Sequence, residues 1–460
     1  MKAKSKWLAI FLVLGLVLAA CSPSGDEGEG STTAGETTDT TEAEMTSTTE
    51  GEMTSTTGGE MAEPTVDVGV DLEAQTITIG MLSDLTGPFG PLVSAIVAGH
   101  EAYWANVNAN GGINGLTVEL ETVDTTYDVP THVQFYEELK GSVVAFGHST
   151  GSPHTVAINE SLQNDGILAI PLTWYSGWSD PAINSNLMPH GTPYCLEAMS
   201  LVEYMAEQSG VDAPTIAIAS IPGDYGLDSV AGAALAAEAL GLTVAYDGTG
   251  LINPADETTF DQVAAGIVAS DADIVFVTAT PGAWSGVYGR AIGQGFEAIW
   301  SGASPSWNPA FVAEDSPIKD AVARDMLVSG YYEPWEGESE GAAEVRAIME
   351  AAGAPPTNYY GEGFIEAGIM HAALVQAYEN GDMTQAGVLA AAKSLENVDF
   401  KGLAPAVAFT GEPNDIVERA IWISRPVPGS LTGVEVIEAA YTSPVAEAYE
   451  FTEACYQLEG

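Results

Sequence analysis

From Gln75 to Lys393, short apolar or alternating runs take turns with longer segments whose apolar residues recur at helical spacing. That alternation leaves few folds open. Strands are expected at Gln75–Leu82, Leu116–Val123, Val143–Phe146, Leu168–Pro171, Thr215–Ser220, Leu242–Tyr246, Ile274–Thr278, Ala298–Trp300 and Met326–Ser329. Helical patterns fill the intervals, from Leu92–Asn110 after the first strand to Gly361–Glu379 and Thr384–Lys393 beyond the last. A helix between successive strands makes each pair a βαβ unit, so the sheets are parallel and doubly wound. Ligands then belong beyond the carboxyl ends of the strands. Two such sheets are expected, one from Gln75 to the Pro189–Pro193 loop and a second starting at Thr215. The chain is expected to return to the first body near Gly330–Trp335, and beyond Phe409 to turn to short β segments.

Within that frame, Gly141–Ser161 carries the most chemistry. Val143–Phe146 reads as a buried strand, His148-Ser149-Thr150-Gly151 as a polar loop, and Ser152 and Pro153 as N-cap and first residue of a helix. Hydroxyls and free N–H groups at a helix start attract a carboxylate, a phosphate or a developing oxyanion. Gly147-His148-Ser149-Thr150-Gly151 also fits G-x-S-x-G, the nucleophile elbow of hydrolases. That chemistry needs a later acid and a later histidine. His154 sits too close on the next helix, His371 falls inside a helical pattern, and no HGGG-like stretch precedes the elbow. A secreted serine hydrolase is therefore the minor alternative, and no catalysis is expected. With 6 histidines, no H-E-x-x-H and two distant thiols, no metal centre and no cofactor are expected either.

Lys2, Lys4 and Lys6 followed by the apolar run Trp7–Ala20 form a signal peptide over residues 1–20, too short to span a bilayer. Leu18-Ala19-Ala20-Cys21 resembles the lipobox of bacterial lipoproteins, which implies cleavage before Cys21 and a lipid on that residue. The expected location is extracytoplasmic, anchored to the cell membrane. Residues 21–74 are rich in Thr, Ser, Glu and Gly, repeat Glu44-Met-Thr-Ser-Thr-Thr as Glu52-Met-Thr-Ser-Thr-Thr, and hold no Lys or Arg. Such a composition cannot build a core and reads as a disordered tether. A formal net charge of −52 with only 12 basic residues excludes nucleic acid as a partner. No D-x-D-x-D-G spacing marks a calcium loop, so the acidity is read as a solvated surface. With Cys21 lipidated, Cys195 and Cys455 remain, and in an exported protein they are the candidates for a disulfide.

Several short motifs, taken in order, resemble the type I periplasmic binding proteins, in particular the branched-chain amino-acid (Leu/Ile/Val) binding proteins of ABC importers. They are Ile77-Thr-Ile-Gly with Leu85-Thr-Gly-Pro, Asn108-Ala-Asn-Gly-Gly-Ile-Asn-Gly before Val118-Glu-Leu and Asp124, and the Phe146-Gly-His-Ser-Thr loop. Ile170-Pro, Asp224-Tyr-Gly and Gly289-Arg-Ala-Ile-Gly-Gln-Gly-Phe complete a match spread over residues 75–441. The resemblance implies an α/β fold of two doubly wound parallel-sheet lobes joined by three crossovers. Lobe 1 would be 75–193 plus 333–406, lobe 2 194–332 plus 407–445, and 446–460 a C-terminal tail. It further implies a monomer that closes on a small solute and hands it to an ABC permease, or a sensory receptor of the same fold.

Carried over residue by residue, His148, Ser149 and Thr150 would take the ligand carboxylate, Leu172, Thr173 and Trp174 would form a second loop, and Tyr225 would face them. In strict register Trp174 stands where that family has a hydroxyl. Ser304 lies where the family places an acid for the ligand ammonium, and no acid is near it in sequence. Either Asp224, Glu333 or another acid substitutes, or the ligand is not an α-amino acid. Trp174 and Trp307 are expected to wall the pocket; Tyr175, Trp178, Trp284, Trp300, Tyr331, Tyr332 and Trp335 are expected to pack core and hinge.

Overall fold

The computed structural model describes residues 63–458. The expected signal peptide, Cys21 and most of the 21–74 linker lie outside them. Regular structure begins before Gln75: β1 (Thr65–Val66) lies parallel to Asp382–Met383, and β2 (Val70–Asp71) pairs antiparallel with the start of β3 (Thr76–Ser83). The linker boundary therefore moves back by about one hairpin, because Val70 finds a buried place beside Ile77.

The next elements alternate as their sequence patterns require: α1 (Gly90–Ala109), β4 (Thr117–Asp124), α2 (Val129–Leu139), β5 (Ala145–Thr150), α3 (Ser152–Asp165) and β6 (Ala169–Leu172). They wind a parallel sheet in the order β4-β3-β5-β6. After α4 (Tyr194–Gln208) come β7 (Thr215–Ser220), α5 (Asp224–Leu240), β8 (Thr243–Gly248), α6 (Thr258–Ser270), β9 (Ile274–Thr278), α7 (Pro281–Ile292) and β10 (Ile299–Ser301). This second parallel sheet has the order β10-β9-β7-β8. Its central strand β9 is buried along its whole length, as expected for a strand covered on both faces.

The chain then recrosses. After α8 (Lys319–Asp325) and β11 (Val328–Gly330), α9 (Glu340–Ala351) and α10 (Tyr360–Glu379) return to the first sheet, where α10 packs on α1 through close contact of Gly363 with the α1 backbone. β12 (Asp382–Met383) and α11 (Gln385–Lys393) follow. A last crossing brings β13 (Ile421–Pro426) antiparallel to β11, with β14 (Val434–Tyr441) outside it. Cys195 and Cys455 are joined by a disulfide with Cα atoms 6.4 Å apart. The tail is also held by Cys455 N–H to Ser176 Oγ at 2.9 Å and Tyr175 OH to Tyr456 O at 2.7 Å. Among the described residues no helix is long and apolar enough to cross a membrane.

Two local expectations change near the motif that drew most attention. β5 does not end at Phe146 but runs on through His148, Ser149 and Thr150, all buried. A register skip at Gly147 keeps the strand paired with β3, so these polar residues stand in the sheet and not in a loop. The N-cap of α3 is Gly151, at φ 95°, and Ser152 is already inside the helix, bonded to the Thr173 hydroxyl. A side chain at 151 would strike His154 and Tyr127 as well as strain the backbone.

Candidate functional site

The carboxyl ends of β5 and β6 open onto a cavity of about 30 Å³, faced from the second sheet by Tyr194, Tyr225 and Pro305. Phe89, Leu92 and Val93 from the start of α1, with Leu172 and Trp174 after β6, make its apolar wall. An aromatic belt encircles it: Phe89–Tyr127 at 4.9 Å between ring centroids, Phe89–Tyr225 at 6.4 Å, Tyr225–Tyr194 at 4.8 Å and Tyr194–Trp174 at 6.0 Å. The space holds about one water molecule. A solute the size of an amino acid enters only if the walls from the two sheets move apart.

The polar character of the cavity comes from helix starts. Four helices begin here, with Phe89 as N-cap of α1, Gly151 as N-cap of α3, Tyr194 as first residue of α4 and Tyr225 in the first turn of α5. Each brings the positive end of its dipole, although several of the first N–H groups are already taken: Phe89 by Asp84, Gly90 by the Gly87 carbonyl, Tyr194 by the Trp174 carbonyl and Tyr225 by the Asp224 carboxyl. No Lys or Arg is among the lining residues. The loop that sets Phe89 is built by Asp84, whose carboxylate accepts from Gly87 N–H at 2.6 Å and Phe89 N–H at 2.9 Å. Asp124 braces the same loop through Leu85 N–H at 3.0 Å and the Thr86 hydroxyl at 2.7 Å. The Leu85-Thr-Gly-Pro motif is thus a turn that aims Phe89.

The eight residues singled out from sequence divide evenly. Thr150, Leu172, Trp174 and Tyr225 line the cavity. His148, Ser149, Thr173 and Ser304 do not. Strand alternation explains Ser149. Thr150 points at the cavity, and Ser149 points to the opposite face, where its hydroxyl meets His132 Nε2 at 3.2 Å and Thr155 Oγ1 at 2.9 Å. This serine–histidine contact is not a catalytic dyad. Ser149 is fully buried and His132 Nδ1 has no acid to orient it. Burial pulls the His132 pKa down to about 3.

His148 turns inward, with Nδ1 2.8 Å from Glu366 and Nε2 2.6 Å from Thr150 Oγ1. Thr173 supports the site indirectly by bonding Ser152, which does line it. Trp307 stacks edge-on against Phe311 in the core of the second sheet and walls no part of this cavity.

The acid missing beside Ser304 in sequence arrives from α4. Glu197 accepts from Ser304 N–H at 2.8 Å and from the Tyr331 hydroxyl at 2.7 Å, and the Ser329 hydroxyl completes its partners. Both its oxygens are occupied, and burial pushes its pKa up to about 7. It latches the second sheet to α4 and offers nothing to a ligand. Glu333 is likewise committed, accepting N–H groups of Glu338 and Ser339.

Asp224 differs. It opens α5 and is almost fully buried, and its Oδ2 has no partner. Burial raises its pKa to about 7, against the hydrogen bonds of its own N–H, the Tyr225 N–H and the Ser152 hydroxyl. Sequence reasoning overlooked Phe89, Tyr127, Ser152 and Tyr194 as lining residues. Their shared signal, visible afterwards, is position at or just before a helix start.

Two parallel-sheet bodies with a closed, aromatic-lined seam between the carboxyl ends of their strands have the architecture of a two-lobed solute-binding protein. The periplasmic binding protein family matches residues 76–429, and the chain belongs to that family. Membership implies an extracytoplasmic location and a small-molecule ligand.

Among solved structures, a fatty acid ABC transporter substrate-binding protein from Thermomonospora curvata is 26% identical with a TM-score of 0.77, covering 84% of this chain and 97% of its own. A branched-chain amino acid ABC transporter protein from Thermus thermophilus with bound valine is 20% identical, TM-score 0.67, covering 81% and 97%. A solute-binding protein of an ABC transporter from R. palustris in complex with 4-hydroxybenzoate is 16% identical, TM-score 0.66, covering 80% and 98%. No curated protein sequence matches the chain.

Proposed function

We propose that this chain is the lipid-anchored solute receptor of an ABC importer and that its ligand is a small carboxylic acid with an apolar or aromatic body. One observation carries the ligand class: four helix N-termini converge on a cavity walled by aromatic and aliphatic side chains, with no basic residue. Helix dipoles, with the Thr150 and Ser152 hydroxyls on the same wall, would hold a carboxylate without a cation, and the belt takes the rest of the molecule. The same contacts from both bodies favour the closed form when ligand is present, the form a permease would recognise. The G-H-S-T-G serine has no role in this reading, so no turnover is expected. Binding to this class also suits a sensory receptor without transport; finding permease and ATPase genes beside this one would favour import.

A second reading rests on a specific atom. The unpartnered Oδ2 of Asp224, next in sequence to the cavity-lining Tyr225, would take an ammonium once the walls part, which would make the ligand an α-amino acid of the same apolar class. Isothermal titration with leucine and with 4-methylpentanoate, its analogue lacking the ammonium, separates the two. Benzoate and octanoate extend the test to aromatic and longer chains. If none of the four binds, the ligand class is wrong; if leucine alone binds, the second reading replaces the first.

A further inference from the structure

Behind Thr150, on the side away from the cavity, five ionisable side chains from four separate segments meet. His100 comes from α1, His148 from β5, His190 from the loop before α4, and Glu362 and Glu366 from α10, one turn apart. None is more than 5% exposed. Glu366 Oε2 stands 2.8 Å from both His100 Nε2 and His148 Nδ1, and His190 Nε2 stands 2.5 Å from Glu362 Oε1. Two triads of ligand-bearing atoms, His100–His148–Glu366 and His190–Glu362–Glu366, each lie within 4.8 Å and share Glu366.

The cluster is poorly balanced as it stands. Glu362 Oε2, Glu366 Oε1, His100 Nδ1 and His190 Nδ1 are all buried without a hydrogen-bond partner. Among the described residues no Lys or Arg pairs with either glutamate; their only ion-pair partners are these histidines. Polar atoms left unpartnered in a low-dielectric place are costly. A divalent ion among them would give the buried Glu366 carboxyl a partner.

We propose that this cluster is a metal site that takes one first-row divalent cation of the zinc type, with His100, His148 and Glu366 as ligands and the adjoining Glu362–His190 pair packed against it. Two imidazoles and a carboxylate are a donor set such ions favour over calcium or magnesium. The outer contacts fit as well. His148 carries its second nitrogen on Thr150 Oγ1, the partner that fixes which nitrogen faces a metal. The sequence reading expected no metal because the ligands are scattered from residue 100 to residue 366 and follow no local motif.

The ion would tie α1, β5, the loop before α4 and α10 into one unit. Two of its attachments reach the cavity wall: Thr150 through His148, and Trp174, whose ring centroid is 6.2 Å from that of His190. Occupancy of this site would thus hold the wall of the solute cavity in place.

The test is metal retention by the full chain, refolded with Zn2+ and passed through a column in excess Mg2+ and Ca2+ to strip surface acids, then assayed by elemental mass spectrometry. About one zinc per chain is expected, with a higher unfolding temperature than the chelator-treated protein. Glu366→Gln should lose the zinc, whereas His371→Gln, a histidine on α10 bonded to Tyr103 and outside the cluster, should keep it. Should Glu366→Gln fail to fold, His100→Asn provides the same loss, and Co2+ loading of the wild type should give the visible absorption of a nitrogen-containing low-coordinate site. A wild type that emerges metal-free, or a Glu366→Gln or His100→Asn variant retaining as much zinc, overturns the proposal.

Discussion

The sign of the pH dependence of ligand binding at Asp224 distinguishes the candidate ligands more sharply than any affinity. The perturbation is titration from pH 5 to 9, with Asp224→Asn as the control. In the empty site the carboxyl, raised by burial to about 7, is neutral at pH 5 and charged at pH 9. A ligand carboxylate seated on the start of α3 would lie beside Ser152, which is close enough to Asp224 to act on its carboxyl. At about 5 Å and an effective dielectric of about 20, two like charges there repel by about 3 kcal/mol. The site escapes that repulsion by keeping Asp224 protonated, at about 1.4 kcal/mol per pH unit above 7.

The dissociation constant of 4-methylpentanoate should therefore be flat below about pH 6 and rise roughly tenfold per unit above 7, levelling after about two decades. An α-amino acid should behave oppositely, binding more tightly as Asp224 ionises and its carboxylate meets the ammonium. Asp224→Asn should remove either slope. Titration calorimetry at several pH values, corrected for buffer ionisation, reads the constant and the proton uptake together. A pH-independent constant, or a slope that survives in Asp224→Asn, refutes the placement of Asp224 at the ligand.

Three further outcomes follow from the geometry. Ser149→Ala should leave ligand affinity unchanged while costing about 1 kcal/mol of stability from its lost contacts; Ser152→Ala should weaken carboxylate binding by roughly 1.5–3 kcal/mol, and equal effects in calorimetry would place both on the same face. The 260-residue separation of Cys195 and Cys455 corresponds to about 5.5 kcal/mol of loop entropy, and measured effects usually fall short, so Cys195→Ala/Cys455→Ala should lose roughly 3–5 kcal/mol; a loss below about 1 kcal/mol in urea unfolding would show the bridge contributes little. The Glu197 carboxyl is raised from 4.5 to about 7, so its share of stability is whole below pH 4.5 and fades as pH climbs through about 7. Glu197→Gln should flatten that part of the profile, a difference of up to about 3 kcal/mol, and an unchanged slope in thermal unfolding between pH 5 and 9 would count against it.

The fold was legible because each strand and helix is announced locally: β7 and β9 have the boundaries their apolar runs suggest, and α10 begins within a residue of its pattern. The site was half legible, for a different reason. Thr150, Leu172, Trp174 and Tyr225 follow from a family pattern, but that pattern says nothing of which way β5 faces once Gly147 slips a register. The slip decides that Ser149 looks at His132 and that His148 looks at Glu366. Glu197 was invisible for another reason. It supports the Ser304 loop from 107 residues away, and no spacing rule spans a crossover. The buried cluster around Glu366 is hidden in the same way, since sequence offers three isolated histidines and two acids on a helix.

The strongly negative charge of the chain looks at first unsuited to an anionic ligand. Distance and screening remove the difficulty. Surface charges act through solvent, where the Debye length is about 8–10 Å at physiological salt, so most of the 64 acidic residues are muted at the cavity. The helix ends that meet there are buried and close, and little salt reaches them. Two acids near the cavity are restrained by the fold: Asp84 caps the loop before α1 with its carboxylate on N–H donors, and burial biases Asp224 toward its neutral form by raising its pKa to about 7. A cationic side chain would attract a carboxylate more strongly, but in this surround it would first be captured by an acid. Backbone dipoles cannot be neutralised by folding onto a neighbour in that way. In a chain with 12 basic residues among 460, the proposed carboxylate ligand would therefore be held by helix starts and not by a cation, and the four that converge on the cavity are where this proposal puts it.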